Sequence, residues 1–149
     1  GVTFPSGHII QFFKAGTVGE NTNATTEYVE IFPDSSITPR KTGSRIVSIT
    51  DIAGISLLNN SNQTMTFRIT DGAGSQRLKL STHMLYQTHG STSEPGRFHA
   101  SWTSDLGTST TAGTAFPVNV DFKCNNNTGI VRVGVDSDPS NLWLMEVTV

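Results

Sequence analysis

Apolar and polar side chains alternate with a period of two along most of the chain. The clearest runs are Met65–Ile69, Phe98–Trp102, Val118–Cys124 and Val131–Val135, in which every second residue is apolar and most of the others are polar or charged. A period of two places one face of a strand on a core and the other face in solvent, as in antiparallel sheets. No stretch of ten or more residues keeps a helical stripe. The pattern therefore predicts an all-β protein.

Turn-forming residues interrupt these runs at short intervals. Clusters of Gly, Asn, Asp and Pro, such as DGAGS at 71–75 and DSDPSN at 136–141, favour tight turns. Many short strands joined by turns are typical of sandwiches and barrels. We predict a single domain over residues 1–149, an antiparallel β-sandwich of jelly-roll type with about ten strands, with a barrel as the alternative. The predicted strands are 8–14, 27–32, 36–39, 44–57, 63–70, 76–86, 97–104, 114–124, 129–135 and 141–149.

Two of the predicted strands are apolar on both faces. In HIIQFFK at 8–14 and in NLWLMEVTV at 141–149, large apolar residues occupy consecutive positions. A sandwich strand needs only one apolar face. The second face must therefore be covered by a loop, by the chain's own termini or by another subunit.

Strict alternation divides each of these strands into two sets of residues. It places Ile9 with Phe13 on one face of the first strand, and it groups Trp143 with Met145 and Val147 in the last strand. We predict that the Trp143 set faces the core. The residues that this division assigns to an interface with a subunit or a larger particle are Ile10, Phe12, Leu142 and Leu144.

Composition and charge narrow the function classes. Charged residues make up 15% of the chain, against roughly 25% in an average domain. The net charge is -2 and the basic residues are scattered, so no binding surface for nucleic acid is predicted. No apolar run approaches the roughly 18 residues of a membrane span, and we expect no membrane insertion. The one cysteine, Cys124, excludes an internal disulfide and lies in a core-facing series.

Candidate metal and catalytic residues do not form recognisable patterns. The histidines show no tight ligand spacing and no neighbouring acidic cluster, so no metal site is predicted; they are His8, His83, His89 and His99. No Gly-x-Ser-x-Gly sequence is present. Asp121 and Glu146 are carboxylates on strands, which a glycosidase would have to bring together. We predict no catalytic residues and no cofactor.

One long irregular segment is the predicted contact surface. Aromatic residues that stack on sugars are the alternative, but the two tryptophans lie in phase with apolar runs; the candidates are Tyr28, Tyr86, Trp102 and Trp143. The segment THGSTSEPG at 88–96 is longer than most hairpin loops, and long loops on rigid sandwiches often carry recognition. We predict a surface-contact loop with His89, Glu94 and Arg97.

Four segments resemble β-domains of tail fibres and other virion appendages of tailed bacteriophages, notably marine and cyanobacterial ones. FPSGHIIQFFKAGT is similar to a Pro-x-Gly-x-x-x-Gln-Val start, TTEYVEIF to a short strand after a Thr-rich gap, and SITPRKTGSRIVSIT to an Ile-Thr-Pro turn before a strand. NLWLMEVTV is similar to the aliphatic-Met-Glu-aliphatic strand that closes those proteins. The resemblance covers residues 4–50 and 114–149. The chain departs from it in the Phe12–Phe13 pair and in 88–96, so no contact residue is carried over.

The resemblance implies a non-enzymatic protein on the virion surface, often a homotrimer, with other virion proteins as partners. Our leading hypothesis is a tail-fibre or adhesin domain that contacts the host, with a host surface glycan as a candidate partner. Weak loop contacts repeated by symmetry would then sum to useful avidity. The alternative within this class is a capsid-decorating protein, either a head fibre or a cement protein. The alternative from another class is a carbohydrate-binding module or small glycosidase, whose aromatics and carboxylates carry the function.

Overall fold

Two antiparallel sheets make up the part of the chain that the structure describes. The computed structural model describes residues 5–58, 63–71, 74–84, 98–125, 130–135 and 138–149. Within these residues eleven strands form a six-stranded and a five-stranded sheet, and every strand pair is antiparallel. The prediction of an all-β sandwich with about ten strands is confirmed. The jelly-roll connectivity stays a prediction.

The strands follow the chain as printed here: β1 (Ile9–Val18), β2 (Asn21–Asn23), β3 (Val29–Glu30), β4 (Ser36–Ile37), β5 (Arg45–Leu58), β6 (Gln63–Asp71), β7 (Gln76–Met84), β8 (Phe98–Gly107), β9 (Phe116–Cys124), β10 (Ile130–Val133) and β11 (Ser140–Val147). The first sheet has the order β1-β11-β5-β10-β2, and β8 also pairs with β5. The second sheet has the order β3-β9-β6-β7, and β4 also pairs with β9. β5 is the organising strand of the first sheet because it pairs with β11, β10 and β8.

The core lies between the two sheets. One cluster of buried apolar side chains includes Ile46 and Ile52 from the first sheet and Met65 and Phe122 from the second. The ring of Phe67 lies 5.4 Å from that of Trp102 across the interior. Cys124 is fully buried in the same cluster, as the alternation of β9 predicts. Each fully buried side chain of this size contributes about 1.5–3 kcal/mol to folding.

The assignment of Leu142 and Leu144 to an interface is wrong. Both side chains are 0% exposed and belong to the chain's own core. Trp143 and Met145, predicted to face the core, lie on the outer side of the sheet and are half-buried. Alternation separates the two faces of a strand, but it does not say which of them points inward.

Two β-bulges in β1 shift the alternation of that strand. Ile9 is opposite Val147 and Phe12 is opposite Met145, with an irregularity between Ile9 and Gln11. The extra residue of a bulge changes the phase by one, so Ile9 shares the outer face with Phe12. The grouping of Ile9 with Phe13 is therefore wrong. Of the predicted interface residues in β1, Phe12 is exposed and Ile10 is half-buried.

Gly134 marks a close approach between the end of β10 and the link between β1 and β2. It has φ 68°, and a Cβ at this position would collide with the carbonyl group of Gly19. Gly74, in the turn before β7, has a similar φ of 78° but nothing within 4 Å of a Cβ. Comparison of the two glycines therefore distinguishes the cost of a left-handed backbone conformation from the cost of a steric collision.

We expect Gly74→Ala to lower the free energy of unfolding by about 1–2 kcal/mol, the cost of the left-handed conformation alone. Gly134→Ala adds a collision with main-chain atoms, and we expect a loss of at least about 3 kcal/mol. Urea unfolding of both variants measures the difference. Equal losses would show that the contact with Gly19 relaxes at no cost.

Candidate functional site

Outer-face residues of β1, β11 and β5 form a continuous apolar patch. Residues directly opposite each other in antiparallel strands lie on the same face. Phe12 is opposite Met145, which is in turn opposite Val47. In the next row, Trp143 is opposite Ile49. We call the following seven side chains the apolar face: Ile9, Phe12, Val47, Ile49, Trp143, Met145 and Val147.

All seven side chains of the apolar face are partly accessible to solvent in the structure of the described residues. Ile9 is 52% exposed and Phe12 is 53% exposed, and the other five side chains are half-buried. Three strands about 4.8 Å apart and three rows about 6.8 Å apart give a footprint of roughly 300 Å². Seven of the nine positions in this footprint are apolar, and the other two are Lys14 and Arg45. A patch of this size lies near the lower end of the largest apolar patches on monomers, which are often functional.

Charged and polar side chains form the rim of this face. Lys14 lies beside Trp143 on β1. Arg45 Nε lies 3.4 Å from Asp105 Oδ2, and His99 Nε2 contacts Asp51 Oδ1. These pairs are largely exposed to solvent and contribute little to stability. An apolar centre with a polar rim is the usual composition of a protein–protein interface.

Glu146 lies on the opposite, inner side of β11 and is 0% exposed. Its carboxylate accepts hydrogen bonds from the backbone amides of Arg40 and Lys41, each at 3.0 Å. It also accepts one from Ser44 Oγ at 2.7 Å and one from Gln11 Nε2 at 2.8 Å. These donors tie the turn before β5, and strand β1, to the last strand.

The hydrogen bonds determine the charge state of this carboxylate. Burial raises the pKa of Glu146, but the donors from Arg40, Ser44, Lys41 and Gln11 outweigh burial and hold the pKa below its ordinary value. Glu146 therefore stays ionised inside the protein. The sequence signal for this site is one acidic residue in phase with Leu142 and Leu144.

The outer face of the second sheet carries another charged cluster. Arg68 Nε donates to Asp121 Oδ2 at 2.6 Å, and the Arg68 guanidinium lies 3.8 Å from the centre of the Tyr28 ring. Lys123 Nζ lies 5.0 Å from the same ring. Burial, followed by the charges of Asp121 and Asp34, raises the pKa of Glu30 beside this cluster.

The structure does not bring the predicted glycosidase carboxylates together. Asp121 lies on the outer side of the second sheet, bonded to Arg68, whereas Glu146 lies on the inner side of the first sheet. Trp102 packs against Phe67 in the interior, and Tyr28 is held between cationic side chains. Of the predicted stacking aromatics with described side chains, Trp143 is the one on the apolar face.

Several sequence predictions fall outside the described residues. The surface-contact loop with His89, Glu94 and Arg97 is among them.

Within the described ranges, no group of three His, Cys, Asp or Glu side chains is placed to hold a metal ion. No helix in those ranges has the length and apolarity needed to cross a membrane. Burial raises the pKa of the Cys124 thiol.

A scan of protein-family models and a search of curated proteins find no match to this chain.

We expect Glu146→Gln to lower the free energy of unfolding at pH 7 by about 2–4 kcal/mol, because a buried charge-assisted hydrogen-bond set is lost and an amide N–H₂ faces backbone donors. The pKa of Glu146 is lower in the folded chain than in the unfolded chain, where it is about 4.3. The ionised carboxylate therefore stabilises the fold above about pH 4.3, and this stabilisation is lost as the pH falls through the folded-state pKa. The stability difference between wild type and variant should therefore shrink below pH 4.3, as measured by urea unfolding.

The matched control is Glu27→Gln, because Glu27 is exposed to solvent. We expect that variant to stay within about 0.5 kcal/mol of wild type. A Glu146→Gln deficit that keeps the same size from pH 7 to pH 3 would contradict the ionised state of Glu146.

Proposed function

We propose that this chain is a non-enzymatic structural protein of a bacteriophage virion, displayed on the particle surface as a tail-fibre or adhesin domain. The observation that carries the structural role is the apolar face, in which seven apolar side chains on one side of a sheet all keep exposed surface. A subunit of an assembly gains stability by burying such a face against a neighbour. The phage setting is supported by the four resembling segments.

In this proposal the rigid sandwich separates two tasks. The first sheet presents the apolar face to other virion proteins or to sister subunits, so that the domain is held in the particle. The segment 88–96, which the sequence predicts to be a contact loop, then binds a host surface glycan. Repetition of weak contacts by the symmetry of the particle supplies the avidity. The domain is a single jelly roll in this proposal.

A capsid-decorating role uses the same apolar face with a different neighbour. A head fibre or cement protein would bury Phe12 and Trp143 against the capsid, as a broad apolar patch with a polar rim allows. The location of the protein on the particle separates this role from a tail-fibre role. Immunogold electron microscopy with an antibody against the chain shows whether label lies on tails or heads.

We expect Phe12→Lys to fold normally but to be lost from particles, because an ammonium group buried in the apolar contact has no carboxylate opposite it. Particles grown with the variant as the sole copy are purified, and the protein is quantified by mass spectrometry. A loss of at least tenfold relative to the major capsid protein is expected, since burying an unpaired charge costs several kcal/mol.

Phe98→Lys is the matched control, because Phe98 is 52% exposed and lies on β8 outside the apolar face. That variant should be incorporated like wild type. Normal incorporation of Phe12→Lys would remove the assembly role of the apolar face, and absence of the wild-type chain from purified particles would reject the virion role.

A further inference from the structure

One register line crosses the first sheet between the second and third rows of the apolar face. Phe13, Leu144, Ser48 and Ser104 are directly opposite one another on β1, β11, β5 and β8. Their side chains belong to the inner phase, so the outer-face residues lie in rows on either side of the line. On each strand, we treat the residue one position before the line and the residue one position after it as a pair.

We propose that two copies of this chain pack sheet against sheet through the apolar face, about a two-fold axis that runs across the strands above this line. The inference rests on the proposed function and deepens it, because it names the neighbour that covers the apolar face as a second copy. It also replaces the threefold symmetry that the resemblance implies by an isologous pairing, in which both copies use the same surface.

The apolar residues in the two rows next to the line complement each other on β11 and β5. Ile9 and Val147, in the outer row, are set against Thr17 and Asn141. A rotation of 180° about this axis exchanges the rows, so each residue faces its pair in the second copy. Met145 then faces Trp143 of the second copy, which is a favourable sulfur–aromatic contact. Phe12 faces Lys14 of the second copy, whose ammonium group attracts the ring. The contacts repeat twice because the interface is symmetric.

The charged residues on β5 follow the same symmetry. Arg45 lies three residues before Ser48 and Asp51 lies three residues after it, and both are on the outer face. The rotation places Arg45 of each copy near Asp51 of the other. Because each sheet is twisted, the strands of two packed sheets cross at about 30°. At the distance of Arg45 from the axis, this crossing moves Arg45 of one copy and Asp51 of the other apart sideways by about 5 Å. An arginine side chain is long enough to span that displacement. The guanidinium group has N–H donors beyond the Nε that faces Asp105.

An axis along the strands does not produce this complementarity. Such an axis above β11 would place β1 over β5 of the second copy. Arg45 would then face Ile9, and Lys14 would face Ile49. Cations set against aliphatic side chains lose solvation without gaining a partner, whereas in the first arrangement Lys14 meets the aromatic ring of Phe12. The arrangement of charges therefore favours the axis across the strands.

The available area reaches the lower bound for a specific interface. Four strands about 4.8 Å apart and eight residues long at about 3.4 Å per residue give a footprint of roughly 500 Å² per copy. Two copies would bury about 1,000 Å² in total, which is the lower bound for a specific interface. The rim holds two cations and two carboxylates (Lys14, Arg45, Asp51 and Asp105), so the charges of these four side chains balance where the two copies meet.

A charge-exchange experiment tests this pairing. Light scattering coupled to size exclusion measures the mass of the purified full chain over a range of micromolar concentrations. We expect a dimer for wild type, and at least tenfold weaker association for Arg45→Asp and for Asp51→Arg, because each places like charges together. The double variant Arg45→Asp with Asp51→Arg restores opposite charges and should recover the dimer. Circular dichroism confirms that each variant is folded.

Asp105→Ala is the matched control, because it removes the in-chain partner of Arg45 and leaves Asp51 in place. It should dimerise within threefold of wild type. A wild-type monomer, a trimer, or a folded double variant that stays as weak as the single variants would overturn the pairing. A monomeric chain that still enters particles through Phe12 would overturn the pairing alone, whereas a dimer that is absent from particles would overturn the virion role alone.

Discussion

The buried carboxylate of Glu146 fixes which side of the last strand points into the protein. Its hydrogen-bond partners are the amides of Arg40 and Lys41, the Ser44 hydroxyl and the Gln11 amide, and all of them lie on the inner side of the first sheet. A slip of one residue would place the charge in contact with solvent and invert every side chain of the strand. The register that satisfies Glu146 buries the leucines and leaves Trp143 and Met145 outside. The apolar face is therefore a consequence of a polar interaction on the other side of the same strand.

Strands with an unbroken alternation were predictable from the sequence. In β9, Val118, Val120 and Phe122 all lie in the core, as their spacing requires. β2 was not predicted, because Asn21–Asn23 contains no apolar residue. It is held by pairing with β10 and by side-chain hydrogen bonds, and Asn23 Nδ2 donates to the carbonyl oxygen of Phe122 at 2.9 Å. The predicted strand 27–32 shortens to Val29–Glu30 because the ladder with β9 ends there while the following residues turn into the core.

The existence of a second apolar side was predictable, but its members were not. Strict alternation fails in β1, where bulges place Ile9 and Phe12 on one face. It gives no direction in β11, where leucines and larger residues are equally apolar. The deciding group, Glu146, binds mostly backbone amides, which leave no trace in the residue types of the turn at 40–41. Contacts between a side chain and distant main-chain atoms are the class of interaction that pattern reasoning cannot find.

The position of Cys124 has a practical consequence. Its thiol is enclosed between the sheets and lies 3.4 Å from the carbonyl oxygen of Asn23 in the first sheet. A thiol reagent reaches it only when the sheets separate around β9, so the rate of chemical labelling measures how often the unaltered molecule opens. This residue is a native reporter of breathing motions, and it needs no engineered probe.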